Sequence, residues 1–254
     1  MTRYPARGLL LLVAALSLQL TGCSDDSPQA ADKNANSPSA AESAVSEPTA
    51  TEATTSGPFS LREYDGPIDP GRHRVPLISW ERTYPVDALV RVPDGFITPG
   101  GWVIENGLDG TAYGDLMFFG DVDLVDTDPC GAGQAIKPGP TVRDLAEALT
   151  GQLPDRATAP RPITVGGHRG LYVEMRVPRN LSRCESGKFT VLAVHQAENP
   201  WYSAGPGRLL RFWIVEVDGQ RVMVAVNVVP GRTTHAAELV HMAKTAEFVE
   251  NVDG

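Results

Sequence analysis

The apolar positions of the chain are densest between residues 208 and 248, where two strand-like runs are followed by a helical one. The two runs, Arg208–Val217 and Gln220–Val229, flank Asp218-Gly219, a dipeptide that favours a two-residue hairpin turn. This turn sets Val217 opposite Gln220. Apolar residues then occupy both faces of the hairpin, which is typical of strands in the middle of a sheet that is covered on both sides. One predicted face carries Trp213, Val215, Val217, Val222, Val224, Val226 and Val228, and the other carries Leu210, Phe212, Ile214, Met223 and Ala225.

Two segments have the spacing of amphipathic helices. The first is Thr141–Leu153, in which Thr141 can cap the first turn and Asp144 completes a capping box. Its predicted apolar stripe consists of Val142, Leu145, Ala148 and Leu149. The second helix is predicted to start at Thr233 or Thr234 and to pack through Ala236, Leu239, Val240, Ala243 and Ala246.

Shorter strand-like segments, separated by Gly, Pro and Asp turns, fill much of the chain from residue 58 onward. Ile163–Val165 and Gly170–Val177 are predicted to form a second hairpin around Gly166-Gly167, with one apolar face and one polar face, and so to lie nearer an edge of the sheet. The other predicted strands are Val86–Val92, Trp102–Glu105, Leu116–Phe119, Asp121–Val125 and Phe189–His195. Together these elements predict an α+β domain, with a mainly antiparallel sheet of about 6–8 strands and two helices packed against it.

The first 22 residues have the layout of an export signal. Arg3 and Arg7 precede the apolar run Gly8–Leu20, which is shorter than the roughly 20 residues that a transmembrane helix needs. The run closes on Leu20-Thr21-Gly22-Cys23, which resembles the lipobox of bacterial lipoproteins. That resemblance implies diacylglycerol on Cys23, cleavage before it, and anchoring to the outer face of the bacterial cytoplasmic membrane. The alternative is an ordinary secretory signal that happens to end near a cysteine.

Residues 24–57 consist mostly of Ser, Thr, Ala, Pro and acidic residues, with no aromatic residue. Such a composition cannot bury enough apolar surface to offset chain entropy, so this segment is predicted to be a disordered linker. The predicted organisation is a lipoprotein signal peptide at 1–22, a lipid-anchored linker at 23–57 and one extracytoplasmic domain at 58–254.

Two of the three cysteines, Cys130 and Cys184, lie within the predicted domain. If Cys23 is lipidated, they form an isolated pair in an exported domain, and such pairs are usually bridged. We therefore expect a Cys130–Cys184 disulfide. The alternative is two buried thiols.

The order of these elements is similar to that of secreted actinobacterial lipoproteins of unassigned function. The matching positions are Val92-Pro93-Asp94-Gly95-Phe96, Thr141–Leu149, the two domain cysteines and Trp213–Gly219. The resemblance covers most of residues 86–250 and rests on structural motifs. It implies an envelope location and a binding or sensor-like domain.

The charge of the chain limits its partners. Of the formal charge of −9, the first 57 residues carry −3 and the remainder −6. A mildly acidic domain without a cluster of Lys and Arg is not expected to bind nucleic acid or an anionic membrane surface. The expected partners are the membrane, through the lipid on Cys23, and an unknown envelope ligand or protein.

The chain shows no motif that specifies a cofactor, a metal or a catalytic nucleophile. No G-x-S-x-G occurs, and the five histidines are scattered in a way typical of solvated surface positions. Asp121, Asp123, Asp126 and Asp128 lack the glycine and glutamate of a calcium-binding loop, which favours an acidic turn. No catalytic residue, metal ligand or cofactor is therefore predicted.

Two hypotheses of different classes remain. The favoured one is a non-catalytic module that binds a ligand or partner in the cell envelope. The alternative is a cell-envelope hydrolase in which paired carboxylates, such as Glu174 or Asp115, carry out acid–base chemistry.

A binding surface is predicted in the irregular loop 196–207, which contains the adjacent aromatic residues Trp201 and Tyr202. Long irregular loops on a rigid sheet often carry binding residues, and Trp and Tyr offer flat faces with few rotamers to restrict. The alternative is that Trp201 folds back over the end of the sheet as part of the core.

Overall fold

The structure is a computed structural model and describes residues 57–79, 83–106, 113–131, 134–184, 187–193, 202–231 and 233–252. All of these belong to one compact unit, residues 53–254. Within these ranges, nine strands precede the first described helix: β1 (Phe59–Ser60), β2 (Gly66–Pro67), β3 (Gly71–Pro76), β4 (Val86–Val92), β5 (Phe96–Thr98), β6 (Val103–Asn106), β7 (Gly114–Phe119), β8 (Leu124–Asp126) and β9 (Ala135–Ile136). Then come α1 (Val142–Gln152), β10 (Arg161–Val165), β11 (His168–Arg176), β12 (Phe189–Ala193), β13 (Tyr202–Ala204), β14 (Leu209–Val217), β15 (Gln220–Val228), α2 (Thr233–Thr245) and β16 (Glu247–Glu250).

The long β14–β15 hairpin lies near the middle of an eight-stranded sheet with the order β10-β11-β14-β15-β7-β6-β5-β2. Its register is the predicted one, with Val217 opposite Gln220 and Trp213 opposite Val224. Asp218 and Gly219 have φ values of 49° and 75°, as this turn requires. The predicted division of its faces is also confirmed, because the two sets of side chains belong to two different cores.

One face of the central sheet is covered by α2 and by a four-stranded sheet with the order β1-β3-β4-β16. Leu239 and Ala243 of α2 and Ala246, which directly follows α2, pack here, as predicted, beside Trp213 and Val215 of the hairpin. The pair β1–β3 is parallel, whereas the other pairs in this layer are antiparallel.

The other face is covered by α1 and by a second four-stranded sheet with the order β13-β12-β8-β9. Thr141 and Asp144 form the predicted capping box at the start of α1. Leu145 and Leu149 then pack against the central sheet. The Cys130–Cys184 disulfide is present and lies in this core.

The predicted fold class is therefore right in outline, with an eight-stranded antiparallel sheet and two helices. The two four-stranded sheets were not predicted. They are needed because α1 and α2, with 11 and 13 residues, are too short to cover both apolar faces of a sheet of this width. In the described part of the chain, neither helix has the length and apolarity of a membrane crossing.

The β10–β11 hairpin lies at one edge of the central sheet, as predicted. The face that was predicted to be polar is, however, less exposed to solvent than expected. Tyr172 on this face is buried against Trp213, with the two ring centroids 5.1 Å apart. The guanidinium of Arg161 covers the other side of the Tyr172 ring at 4.4 Å from its centroid. A cation over the ring lets a strand near the edge bury an aromatic residue while keeping a charged surface.

Candidate functional site

Three polar residues line up across the central sheet near one end of β6, β7 and β15. The register places Glu105 of β6 opposite Asp115 of β7, and Asp115 opposite Asn227 of β15. Residues directly opposite each other in a sheet point to the same face. These side chains therefore lie together on the face covered by α1, where most of their neighbours are apolar.

Two further residues approach this row from neighbouring segments. Tyr202 of β13 is only 5% exposed and packs its ring edge-on to Phe119, with the ring centroids 5.8 Å apart. Its hydroxyl faces the Asp115 carboxyl. Arg208, just before β14, donates from Nη1 to the carbonyl of Tyr113 at 3.4 Å and acts on both carboxyl groups through its charge. Glu105, Asp115, Tyr202, Arg208 and Asn227 together are called the Asp115 recess below.

Burial raises the pKa of Asp115 to about 7, and the nearby Glu105 charge adds to this increase. The Arg208 charge, the hydrogen bond from Asn227 and the nearby Tyr202 hydroxyl act in the opposite direction without cancelling it. Burial also raises the pKa of Glu105, with Arg208 opposing the change. Asp115 and Glu105 both remain partly exposed as whole residues.

The hydrogen bonding inside the recess is incomplete. The Nδ2 of Asn227 donates to Asp115 Oδ2 at 2.9 Å. Asp115 Oδ1, Asn227 Oδ1 and the Tyr202 hydroxyl are all shielded from solvent and make no well-formed hydrogen bond. Asn227 is 6% exposed, and a buried amide or carboxyl oxygen is normally paired. The recess can therefore form hydrogen bonds with a bound group, and its Asp115 carboxyl can exchange a proton near neutral pH.

A concave region lies at the tip of the β14–β15 hairpin and has a volume of about 650 Å³. Asp121, Asp123, Lys137 and Arg221 are among its lining residues. The Arg221 guanidinium is committed to the backbone carbonyls of Val122, Gly139 and Thr141, and burial lowers its pKa. Lys137 Nζ lies 3.7 Å from Asp123 Oδ1. The charged side chains of this cleft are largely satisfied by contacts within it, whereas the Asp115 recess has polar atoms without well-formed hydrogen bonds.

The carboxylates named for a hydrolase, Glu174 and Asp115, do not come together. They lie on opposite faces of the central sheet, because the register pairs Glu174 with Arg211 and Asp115 with Asn227. Glu174 instead accepts a hydrogen bond from Arg211 Nε at 3.0 Å and another from the Tyr172 hydroxyl at 2.9 Å. The carboxylate that does lie opposite Asp115 is Glu105.

Of the two aromatic residues predicted to bind a partner, the structure describes Tyr202 but not Trp201. Trp201 lies outside the described residues, as does Cys23. Tyr202 is described, and its ring is packed inside the protein rather than presented on the surface. A partner that touches Trp201 remains a prediction, whereas Tyr202 can contribute only through its hydroxyl in the recess.

The described histidines differ in their exposure to solvent, although the sequence predicted that all are solvated. His235 and His241 are exposed on α2, as expected. His73 is only 6% exposed, so the prediction that it is solvated is wrong; its Nε2 lies 2.6 Å from the carbonyl oxygen of Asp69, which satisfies it inside the protein. Among the described residues, no three His, Cys, Asp or Glu side chains are close enough to hold a metal ion.

The sequence patterns did not single out Glu105, Arg208 and Asn227. One signal was present for Asn227, which interrupts an otherwise apolar run on a face predicted to be buried. A lone polar residue on such a face requires a partner. The identity of that partner depends on the pairing of β15 with β7, two strands separated by about 100 residues of chain, a separation that local periodicity does not specify.

Comparison with known proteins gives no relative for this chain: no family model, no curated protein and no solved structure matches it significantly.

Proposed function

We propose that this protein is a membrane-anchored bacterial lipoprotein whose extracytoplasmic domain is a non-catalytic ligand-binding module of the cell envelope. The lipobox-like end of the signal segment supports the anchor on Cys23. Two acyl chains at one residue are sufficient for stable anchoring, whereas one chain binds a membrane only marginally. The disulfide agrees with a location in an oxidising compartment.

The Asp115 recess is the proposed binding site, and the incomplete hydrogen bonding of Asp115 and Asn227 is the observation that supports it. Three shielded polar atoms without well-formed hydrogen bonds destabilise the fold by about 1–3 kcal/mol each. A ligand that hydrogen-bonds to them would remove this cost on binding. Ligand sites commonly combine apolar walls with a few convergent polar groups, and the recess has this composition.

Replacing Cys23 should release the protein from the membrane. We expect the Cys23→Ala variant to leave the detergent phase in a Triton X-114 partition, whereas the wild type stays in it, because the lipid is the proposed attachment. The neighbouring Ser24→Ala variant is the matched control and should partition like the wild type. Equal detergent-phase recovery of the Cys23→Ala variant and the wild type would rule out the anchor.

The binding function can be tested with the full-length protein in detergent micelles, incubated with a small-molecule extract of the bacterial envelope. Mass spectrometry should find at least one compound that the wild type retains and that the Asp115→Asn variant retains at least about 10-fold less, equivalent to about 1.4 kcal/mol of binding energy. The Glu174→Gln variant changes a carboxylate on the opposite face and should retain the compound fully. If the Asp115→Asn variant retains the same compounds in the same amounts as the wild type, the recess is not the site.

The second candidate is a cell-envelope hydrolase that uses Glu105 and Asp115. Cβ atoms of directly opposed residues lie about 5 Å apart, and retaining glycosidases hold their two carboxyl groups at a similar separation. Such enzymes need environments that push the two pKa values apart, one acid neutral and the other ionised. Here burial raises both, which favours binding. If the wild type releases reducing ends from purified wall polymer, and Glu105→Gln and Asp115→Asn each abolish this activity, the hydrolase replaces the binding module.

A further inference from the structure

Basic residues are concentrated in the part of the chain that forms the β10–β11 edge of the central sheet. Residues 155–188 contain seven Lys and Arg and three Asp and Glu, a net charge of +4, although the chain from residue 58 onward carries −6. These basic residues are spread singly along the stretch, and for that reason they form no cluster in the sequence. The fold brings two of them together with an arginine of β14.

Three arginines share the face of the central sheet on which α2 packs. The register sets Arg161 of β10 opposite Tyr172 of β11, and Arg211 of β14 opposite Glu174 of β11. Arg176 shares a face with Tyr172 and Glu174, because alternate residues of a strand point to the same side, and Tyr172 belongs to the core beneath α2. Arg161 and Arg176 are exposed, and the Arg211 side chain is 25% exposed. These three arginines, with Tyr172 and Glu174, are called the arginine face below.

One carboxylate joins the side chains of the arginine face. Glu174 Oε2 accepts a hydrogen bond from the Tyr172 hydroxyl at 2.9 Å and another from Arg211 Nε at 3.0 Å. The Arg161 guanidinium lies over the Tyr172 ring, 4.4 Å from its centroid. Burial and the Glu174 carboxylate raise the pKa of Tyr172 to about 12, so its hydroxyl stays neutral. Arg161 and Arg211 are therefore held around a single negative charge.

The positive charge of the arginine face exceeds its negative charge. Three guanidinium groups and one carboxylate give a net charge of about +2. Among the described residues, the guanidinium groups of Arg161 and Arg176 take part in no hydrogen bond or ion pair, and Arg211 donates from Nε alone. Guanidinium groups gathered in this way repel one another, and an anion between them offsets that repulsion.

We propose that the arginine face binds a phosphate group, with Arg211 at its centre and Arg161 and Arg176 on either side. A phosphate monoester carries about two negative charges and three acceptor oxygens, which match the charge and the unused N–H groups of the three guanidinium forks. Successive residues on one face of a strand are about 7 Å apart, a span that an arginine side chain covers. The site lies on the face opposite the Asp115 recess, so the inference is independent of the binding function proposed there.

The test uses the full-length protein in detergent micelles, with methyl phosphate as the probe and acetate at the same ionic strength as the comparison. The readout is the NMR signal of the Arg211 Nε–H group, which Glu174 holds in place. Methyl phosphate should shift this signal saturably, and acetate, with one charge, should bind at least about 5-fold more weakly. Equal affinity for the two anions, or a shift that does not saturate, would mean general screening of charge and would overturn the proposal.

Two variants show whether the arginine face is responsible. Arg161→Gln and Arg176→Gln each remove one guanidinium at an exposed position, and each should lower the affinity for methyl phosphate at least about 5-fold. Arg143→Gln is the matched control, because Arg143 is an exposed arginine on α1, which covers the opposite face. It should leave the affinity unchanged, as should Asp115→Asn. An unchanged affinity in Arg161→Gln or Arg176→Gln, or an equal loss in Arg143→Gln, would show that phosphate does not bind here.

The phosphate can belong to a soluble molecule or to a lipid headgroup, and flotation with vesicles distinguishes these sources. The unlipidated Cys23→Ala variant is used, because the proposed anchor would attach the protein to any vesicle. Recovery with vesicles of phosphatidylcholine and phosphatidic acid but not of phosphatidylcholine alone, lost when Arg161→Gln is added, identifies a headgroup phosphate. If methyl phosphate binds but these vesicles recover no protein, the phosphate is that of a soluble molecule. If neither binds, the proposal is wrong.

Discussion

The Asp115→Asn variant should be more stable than the wild type at pH 8 and nearly equal to it at pH 4. The pKa of the Asp115 carboxyl is about 7 in the fold and near 3.8 when the chain is unfolded. Its contribution to stability is thus complete below about pH 3.8 and is lost as the pH rises through 7, because the buried carboxyl must then ionise. Asparagine stays neutral and keeps a similar shape. Since Asp115 retains some solvent contact, we expect a gain of about 3 kcal/mol at pH 8 rather than the full value of the shift.

Urea unfolding of both proteins from pH 4 to pH 8 measures this gain as a difference, which removes the contribution of the other carboxylates. Glu216→Gln is the control, because Glu216 is an exposed carboxylate on β14 of the same sheet. Its difference from the wild type should stay within about 0.5 kcal/mol throughout. A constant difference for Asp115→Asn across this pH range would show that Asp115 does not titrate near neutrality in the fold.

Loss of the Cys130–Cys184 disulfide should destabilise the domain by about 4 kcal/mol. The two cysteines are 54 positions apart, and closing a loop of this length restricts the unfolded chain by about that amount in the chain-entropy model. Thermal or urea unfolding of the oxidised and reduced protein gives the value.

The double variant Cys130→Ser/Cys184→Ser separates the effect of the bond from the effect of the reductant. We expect its stability to be close to that of the reduced wild type and not to change when dithiothreitol is added. If reduction lowers the stability of both proteins equally, the reductant acts elsewhere. If it changes neither protein, the bond does not stabilise the domain.

The effect of the disulfide could be predicted from the sequence alone, whereas the titration of Asp115 could not. The disulfide follows from cysteine count and the expected compartment, and it is present in the structure. The titration of Asp115 does not, because the neighbours that raise and lower its pKa come from β6, β13, β15 and the segment before β14. An acidic residue at the start of a strand looks the same in the sequence whether it becomes solvated or buried.

Short sequence patterns determined the features of the fold that depend only on neighbouring residues. Asp218-Gly219 set the turn and hence the register of the central hairpin, and Thr141 with Asp144 set the start of α1, since both devices act over a few residues. The same patterns defined both apolar faces of the hairpin. They therefore showed that two covering layers had to exist, without showing which segments would form them.

The tertiary structure alone decided which polar residues meet. Asp115 is opposite Asn227 only because β7 pairs with β15, and opposite Glu105 only because β6 lies on the other side of β7. Glu174 was separated from Asp115 by the same pairing, and Tyr202 was turned into the core by its place on β13. Strand order is set by the burial of whole faces across the domain, an energy shared among distant segments, and for that reason no short stretch of sequence encodes it.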